Sequence, residues 1–444
     1  MGGGPASLYF SILMKLRDPA HEISVHERNP RGSTYGWGVT YWRGLLDRLQ
    51  AGDPVSARAI RDASVRWGGG VAHVRGTTTT QQGDEGFGVG RHRMLEILAE
   101  RAGSLGVEVR YEDEVTAEPD ADLVVAGDGA GSALRERHAD HFGTRTDVGA
   151  NTYIWLGTTR VFDAFTFTFV ETEHGWIWCY GYGYSADRST CVVECPVETW
   201  QGLGLDRMSA AEGLELLERL FAGTLDGHRL IGRDDGRSQW LRFRTLTNRT
   251  WHRGNLVLMG DAAHTTHYSI GAGTTLALED AMALSGALSG WGTREPAPGT
   301  PRIAPEAELR AAGPTGPATV PQVGAGMVSP VGAGSVFQAV SPPGPDTALA
   351  AALERYERER KLALLSVQSA ARYSARWYEN LPRYIDLPAP QMFALLGQRH
   401  SPLLPYVPPS LYYRADRIAT RLEPLRKAKR WLGPRLARTL HSRT

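Results

Sequence analysis

The chain has 444 residues, 42% hydrophobic and 22% charged, the mix of a folded soluble protein, which excludes global disorder. Its 49 Lys and Arg against 48 Asp and Glu leave a net charge of +1, so no global field favours nucleic acid or an anionic membrane. Apolar runs stay short of the ~18 residues of a spanning helix, no secretory leader is read, and Cys179, Cys191 and Cys195 lack C-x-x-C spacing, so the expectation is free thiols in a reducing cytoplasm.

In chain order, Gly2, Gly4 and Ser7 stand where a G-x-G-x-x-G turn would place three glycines, before a helix predicted over 6–16. Such a turn brings backbone N–H groups against a pyrophosphate at a helix N-terminus. A short strand is predicted over 22–27, ending on Glu27 with Arg28 next to it; an acid at that spacing accepts hydrogen bonds from an adenosine ribose. The turn also requires a strand feeding it, and only Met1 precedes Gly2. Five buried β-branched residues at ~1.5–3 kcal/mol each would forfeit on the order of 10 kcal/mol, against ~5–15 kcal/mol for a whole domain. The expectation is a start a few residues upstream; the rival reading is a decayed, non-binding paralogue.

A helix over 91–102 and strands over 107–111 and 123–126 continue the βα alternation, which suggests a parallel sheet covered on both faces. The second strand runs into an Asp128-Gly129 turn. Successive β-rich runs over 152–196, without intervening helices, predict a mostly antiparallel sheet. A helix over 210–221 and a strand over 255–259 follow, the strand ending in Gly260-Asp261. Gly271 and Gly273 then open a helix over 274–288 whose N-terminus can face an anionic group. The Pro/Gly/Ala-rich stretch 293–347 predicts a disordered insertion. A long amphipathic helix over 349–378, a proline-punctuated region and a basic tail complete the chain. The domain reading is 1–150 for the dinucleotide-binding part, 151–250 for a β-sheet substrate domain, 251–292 for the return, 293–347 for the insertion and 348–444 for a helical region.

The three turns, with G-W-I-W (175–178), V-E-C-P-V-E-T-W (193–200), G-D-A-A-H-T-T-H-Y-S-I-G-A-G-T-T-L-A-L-E-D-A (260–281) and W-Y-E-N-L-P-R-Y (377–384), resemble the class A flavoprotein aromatic monooxygenases. Within that class the chain is most similar to the monooxygenase part of salicylyl-CoA 5-hydroxylase and 2-aminobenzoyl-CoA monooxygenase, over about 2–288 and 349–416. The resemblance implies an α/β fold: a doubly wound FAD-binding domain of the para-hydroxybenzoate hydroxylase type, interrupted by the β-sheet substrate domain, with C-terminal helices. It implies FAD on Gly2, Gly4, Ser7, Glu27, Arg28, Arg91, Asp128, Gly129, Gly260, Asp261, Gly271 and Gly273. NADH or NADPH would supply electrons and O₂ would form a flavin C4a-hydroperoxide that attacks an electron-rich ring.

His267 and Tyr268 replace two prolines of the wider class and are the candidate catalytic residues, with Trp37 a candidate pocket wall. The implied substrate is a salicylyl or 2-aminobenzoyl thioester on CoA or a carrier protein. A free aromatic or indolic intermediate, and a degenerate non-catalytic protein, stay open as alternatives. A halogenase would need a W-x-W-x-I-P signature and a catalytic lysine; here W-I-W runs into Cys179-Tyr180 and no lysine lies between Lys15 and Lys361. No metal site is expected, because His264 and His267 lack partners at ligand spacing.

Overall fold

In the computed structural model, residues 1–34, 36–233, 240–291 and 345–421 are described. Most of the insertion (293–344) and the basic tail (422–444) lie outside these residues. Among the described residues no helix is long and apolar enough to cross a membrane.

The dinucleotide-type layer consists of two short assemblies, parallel except for the antiparallel pairing of one edge strand. Strand β1 (Ser24–Glu27) pairs with β5 (Glu108–Tyr111), and β6 (Val124–Ala126) pairs with β14 (Leu256–Leu258), which carries β13 (His252–Arg253). Met1 and Gly2 lie at the seam. The Met1 ammonium donates to Val125 O at 2.8 Å, Gly127 N donates to Met1 O at 2.9 Å, and Gly2 N donates to His26 O at 2.8 Å. The first two bonds form one parallel bridge to β6, and the third reaches β1 on the other side. Helix α1 (Pro5–Arg17) starts from this bridge with Pro5 in its first turn, where a missing N–H costs nothing. It packs with α2 (Arg91–Ser104) and a later helix in a core that includes Leu8, Ile12, Leu98 and Leu284.

The second layer is a nine-stranded sheet in the order β11-β7-β10-β9-β8-β3-β4-β2, with β12 also on β7. Its strands are β2 (Gly38–Trp42), β3 (Val65–Val74), β4 (Thr77–Gly90), β7 (Arg145–Thr158), β8 (Phe165–Thr172), β9 (Gly175–Gly183), β10 (Ser189–Cys195), β11 (Leu230–Ile231) and β12 (Leu241–Thr247). All pairings are antiparallel except β3 with β8. The expected boundary at residue 150 therefore needs correction: β2, β3 and β4 belong to this sheet although they precede it. Gly68, Gly69, Gly70 and the Thr77–Thr80 run supply hydrogen-bonding backbone but no apolar alternation, so these strands carry no period-2 signal.

The alternation of the central strands sorts their side chains. Ile154, Leu156, Ile177, Cys179, Cys191 and Val193 pack beneath α3 (Ala210–Leu220). Phe167, Phe169, Trp178, Tyr180 and Val192 face the opposite way, toward the C-terminal helices. Helix α4 (Gly273–Ala287) lies on α1, and the long α5 (Pro345–Glu379) crosses α4. Helix α6 (Ala389–Gly397) then covers the aromatic face with Phe393 and Leu396.

Candidate active site

One cavity of about 1160 Å³ runs between the two layers, from the start of α1 to the aromatic face of the large sheet. Its first end is built from turns that exclude side chains. Gly2 has φ +82°, and a Cβ there would lie 2.6 Å from Asp128 Cα and Gly127 O, so only glycine lets the two turns nest. Gly4 caps α1 without a side-chain partner, and Gly4, Pro5, Ala6, Gly127 and Gly129 line the cavity. The free N–H groups and the helix dipole at that point favour an anion.

Glu27 braces this turn. Its Oε2 accepts from Gly3 N at 2.7 Å, and its Oε1 accepts from Asn29 N at 2.9 Å and Asn29 Nδ2 at 2.6 Å. Ser7 is buried under Gly127, where its Oγ fills the space a Cβ would take. Arg28 projects into solvent, 3.9 Å from Glu114. Asp128 Oδ2 accepts from Ala133 N at 3.0 Å, while its Oδ1 is buried and has no hydrogen-bond partner.

The middle of the cavity is charged. Arg91, the first residue of α2, exposes its side chain to the cavity with Nε buried and unsatisfied. Burial holds its guanidinium below the usual arginine value, with Asp261 opposing. Asp261 is exposed, and its open side faces the cavity. Desolvation by the protein around it pushes its carboxyl up, and Arg91 and then His264 oppose that shift. The Gly260–Ala262 turn is tied from behind by Asp280 of α4. Asp280 accepts from Gly260 N at 3.0 Å, from His264 Nε2 at 2.8 Å and from Arg360 Nε of α5 at 2.6 Å. Gly271, at φ +63°, lies so close to Thr40 that a Cβ would meet Oγ1 at 2.6 Å. It and Gly273 line the cavity where α4 begins.

The far end is aromatic: Tyr153, Trp155, Phe165, Phe167, Tyr180 and Tyr268 form its wall, closed by Tyr378 and Phe393. The Tyr268 ring lies 4.4 Å from that of Tyr153 and stacks 6.2 Å from that of Tyr180. Its hydroxyl donates to Glu194 Oε2 at 2.8 Å, and Glu194 Oε1 accepts from Asn151 Nδ2 at 2.8 Å. Glu194 is 1% exposed, and burial pushes its carboxyl up to about 7. The Tyr180 hydroxyl is buried without a hydrogen-bond partner.

His267 is not on the cavity wall. Its ring packs between Phe243 (4.9 Å) and Tyr268 (4.3 Å), and its Nδ1 accepts from Ser269 N. Burial, with Arg399 second, holds it down at about 3, so the imidazole is neutral. Trp37 also lies off the wall. Its Nε1 donates to Trp155 O at 3.3 Å, and its ring occupies the space above Gly157. The fold thus brings Gly4, Arg91, Gly129, Gly260, Asp261, Tyr268, Gly271 and Gly273 onto one cavity. Gly2, Ser7, Glu27 and Asp128 lie directly behind its first end, whereas Arg28, Trp37 and His267 lie away from it. Sequence reasoning gave Glu194 no role; the available signal was a lone acid among apolar residues in V-V-E-C.

These polar atoms suit a flavin dinucleotide: glycine turns closed to any Cβ, an uncapped helix start, an orphaned arginine nitrogen and a carboxylate facing the cavity. The profile of the FAD binding domain family matches residues 79–294. Salicyloyl-CoA 5-hydroxylase of Streptomyces sp is 34% identical over 407 residues, 89% of this chain and 68% of that protein. The 3-hydroxy-4-methyl-anthranilyl-[aryl-carrier protein] 5-monooxygenase of Streptosporangium sibiricum is 37% identical over 287 residues, 65% of this chain and 77% of that protein. Protodeoxyviolaceinate monooxygenase of Chromobacterium violaceum is 30% identical over 300 residues, 65% and 78% of the two chains. In fold, the chain is similar to P. aeruginosa PqsL in complex with 2-aminobenzoylacetate, with TM-score 0.58 at 17% identity over 86% of this chain and 96% of that one. With that cavity and these relatives, the chain belongs to the FAD-dependent class A aromatic monooxygenases.

Proposed function

We propose that this enzyme hydroxylates the ring of an aryl thioester, salicylyl or 2-aminobenzoyl, carried on CoA or on a carrier protein. The observation that carries the reading is the single cavity, which joins the glycine and aspartate turns to an aromatic wall holding a hydrogen-bonded phenol. FAD, when bound and reduced by NADH or NADPH, supplies the activation of O₂ for oxygen transfer. The chain's own residues hold and shield. The start of α1 and the Gly127–Gly129 turn would take the pyrophosphate, Glu27 would stiffen the adenosine side, and Arg91 and Asp261 would hold the polar chain leading to the ring system.

The aromatic wall positions the substrate ring by stacking and excludes water from the reacting centre. Arg242 and Arg244, exposed on β12 and lining the cavity, add two cations suited to the phosphates of a CoA or carrier arm. The alternative, a free aromatic or indolic substrate, is supported by the relative named protodeoxyviolaceinate monooxygenase, whose name carries no CoA or carrier protein.

The test is NAD(P)H oxidation by the FAD-loaded enzyme with salicyloyl-CoA, 2-aminobenzoyl-CoA and free salicylate, read with product mass. Stimulation and a gain of one oxygen with a thioester alone are expected. Turnover of the free aromatic but of neither thioester would overturn the proposal.

A further inference from the structure

Two acids are buried in the core beside this cavity, and their surroundings differ. Asp280 is fully buried but bonded to Arg360 and His264, as expected of a carboxylate kept charged for structure. Glu194 is equally buried, yet among the described residues it makes no ion pair; the donors around it, Asn151 and Tyr268 with the Trp178 indole beside them, are neutral. A carboxyl buried without a cation is biased toward its protonated form, and burial brings this one up to about 7, where it can take up or release a proton near neutral pH.

Its position is also specific. On central strand β10, Glu194 pairs with Tyr153 of β7 on one side and with Trp178 of β9 on the other. All three side chains face the aromatic layer. Glu194 lies behind the wall, and Tyr268 stands between it and the cavity. Tyr180, stacked on Tyr268, lines the same wall with its hydroxyl buried. Tyr268 thus lines the space where the substrate ring is read to lie, and its hydroxyl leads back to an acid.

We propose that Tyr268 and Glu194 form a proton relay that ionises the substrate's ring hydroxyl, with Glu194 as the terminal proton acceptor; this rests on the reading of the cavity as an aromatic-ring pocket. In the step, the substrate O–H proton passes to Tyr268 Oη as the Tyr268 proton passes to Glu194 Oε2. The substrate is left as a phenolate, Tyr268 stays neutral and Glu194 becomes a carboxylic acid. One proton has moved and no electrons are exchanged. The phenolate raises electron density at the ring positions that attack an electrophilic oxygen.

The charged and titratable groups around the pair are Tyr153, Tyr180, Tyr378, Glu379, His267 and Arg399. Tyr180 and Tyr378 are pushed up by burial, Tyr378 to about 12, and His267 is neutral above about 3. Arg399 donates to Ser374 Oγ, Leu396 O and Ser269 O. Glu379 accepts from Ala150 N. Glu194 itself titrates near 7, so the relay opens as pH rises through that value.

The experiment compares the FAD-loaded wild type, E194Q and Y268F with salicyloyl-CoA between pH 6 and 9. The absorption of the bound phenolate is read without reductant, and kcat and KM are read with NAD(P)H. In the wild type the phenolate band and kcat are expected to rise together with a midpoint near 7. Both variants should bind salicyloyl-CoA within about threefold of wild type and lose the band at pH 8. Their kcat should fall roughly a hundredfold with little change in KM, and 2-methoxybenzoyl-CoA should show no band in any protein.

A band and pH midpoint retained in E194Q would overturn the relay while leaving the substrate reading intact. No binding of salicyloyl-CoA to the wild type would overturn both. Because the wild-type titration and Y268F report independently, a poorly folded E194Q leaves the relay open to refutation.

Discussion

Replacing Arg360 with methionine removes the cation from Asp280 and leaves a carboxylate with no solvent exposure. Stripping one partner from a buried ion pair costs ~3–5 kcal/mol, because the remaining charge stays desolvated. Asp280 keeps Gly260 N and His264, which places R360M at the lower end, about 3 kcal/mol. At ~2 °C per kcal/mol for a large chain, thermal unfolding should fall by about 6 °C. The loss should also reach the cofactor, since Asp280 fixes the Gly260 turn that presents Asp261. FAD affinity, read by recovery of flavin fluorescence on dilution, should weaken together with melting. The double variant D280N/R360M removes both charges and should recover part of the loss. A shift below about 1 °C for R360M, or a double variant no better than the single one, would refute the argument that charge burial governs this cluster.

Asp280 also sets a pH signature: burial opposes its charge, but His264 and Arg360 outweigh it and hold the carboxyl below its ordinary value. A group depressed in this way contributes stability above its unfolded value of ~3.9 and loses it as pH falls through the folded one. D280N should therefore show a flatter fall in melting temperature below about pH 4 than the wild type. Gly271 and Gly129 both have positive φ, but a Cβ clashes only at Gly271. G271A should cost ~2–3 kcal/mol and G129A about 1 kcal/mol in denaturant unfolding; equal losses would show that the Thr40 contact does not matter. R242A/R244A should raise KM for salicyloyl-CoA roughly fivefold, about 1 kcal/mol for partly exposed charges. The N-acetylcysteamine thioester, which lacks phosphates, should be unaffected, and a matching rise for it would remove the arginines from substrate binding.

Much of the dinucleotide half was legible because each of its features is local. A glycine turn before a helix, an acid ending the next strand, and Asp-Gly or Gly-Asp after a strand each carry their own backbone logic. The helix expected over 6–16 is Pro5–Arg17, and that over 274–288 is Gly273–Ala287. The substrate half was legible only where apolar alternation is strong, as in F-T-F-T-F-V. Strands β3 and β4 were hidden because glycine and threonine satisfy a ladder without marking a buried face.

His267 and Tyr268 are adjacent, and the sequence offered no means to separate them. In the fold, one ring turns into the core and the other onto the cavity, a choice set by packing against Phe243 and β10. Glu194 was hidden for the opposite reason. A charged residue in a strand normally faces water, and only pairing between Tyr153 and Trp178 places it inside.

Phe167, Tyr180, Val192 and Phe393 are at once pocket lining and hydrophobic core. Enlarging the pocket for a bulkier ring by trimming any of them also opens a void in the fold, at ~2–5 kcal/mol per large truncation. Diversification of such an enzyme toward new rings is therefore channelled to the rim, where Trp42, Val148 and Arg242 touch the cavity but are exposed. Changes deeper inside would survive only in a background that already has stability to spare.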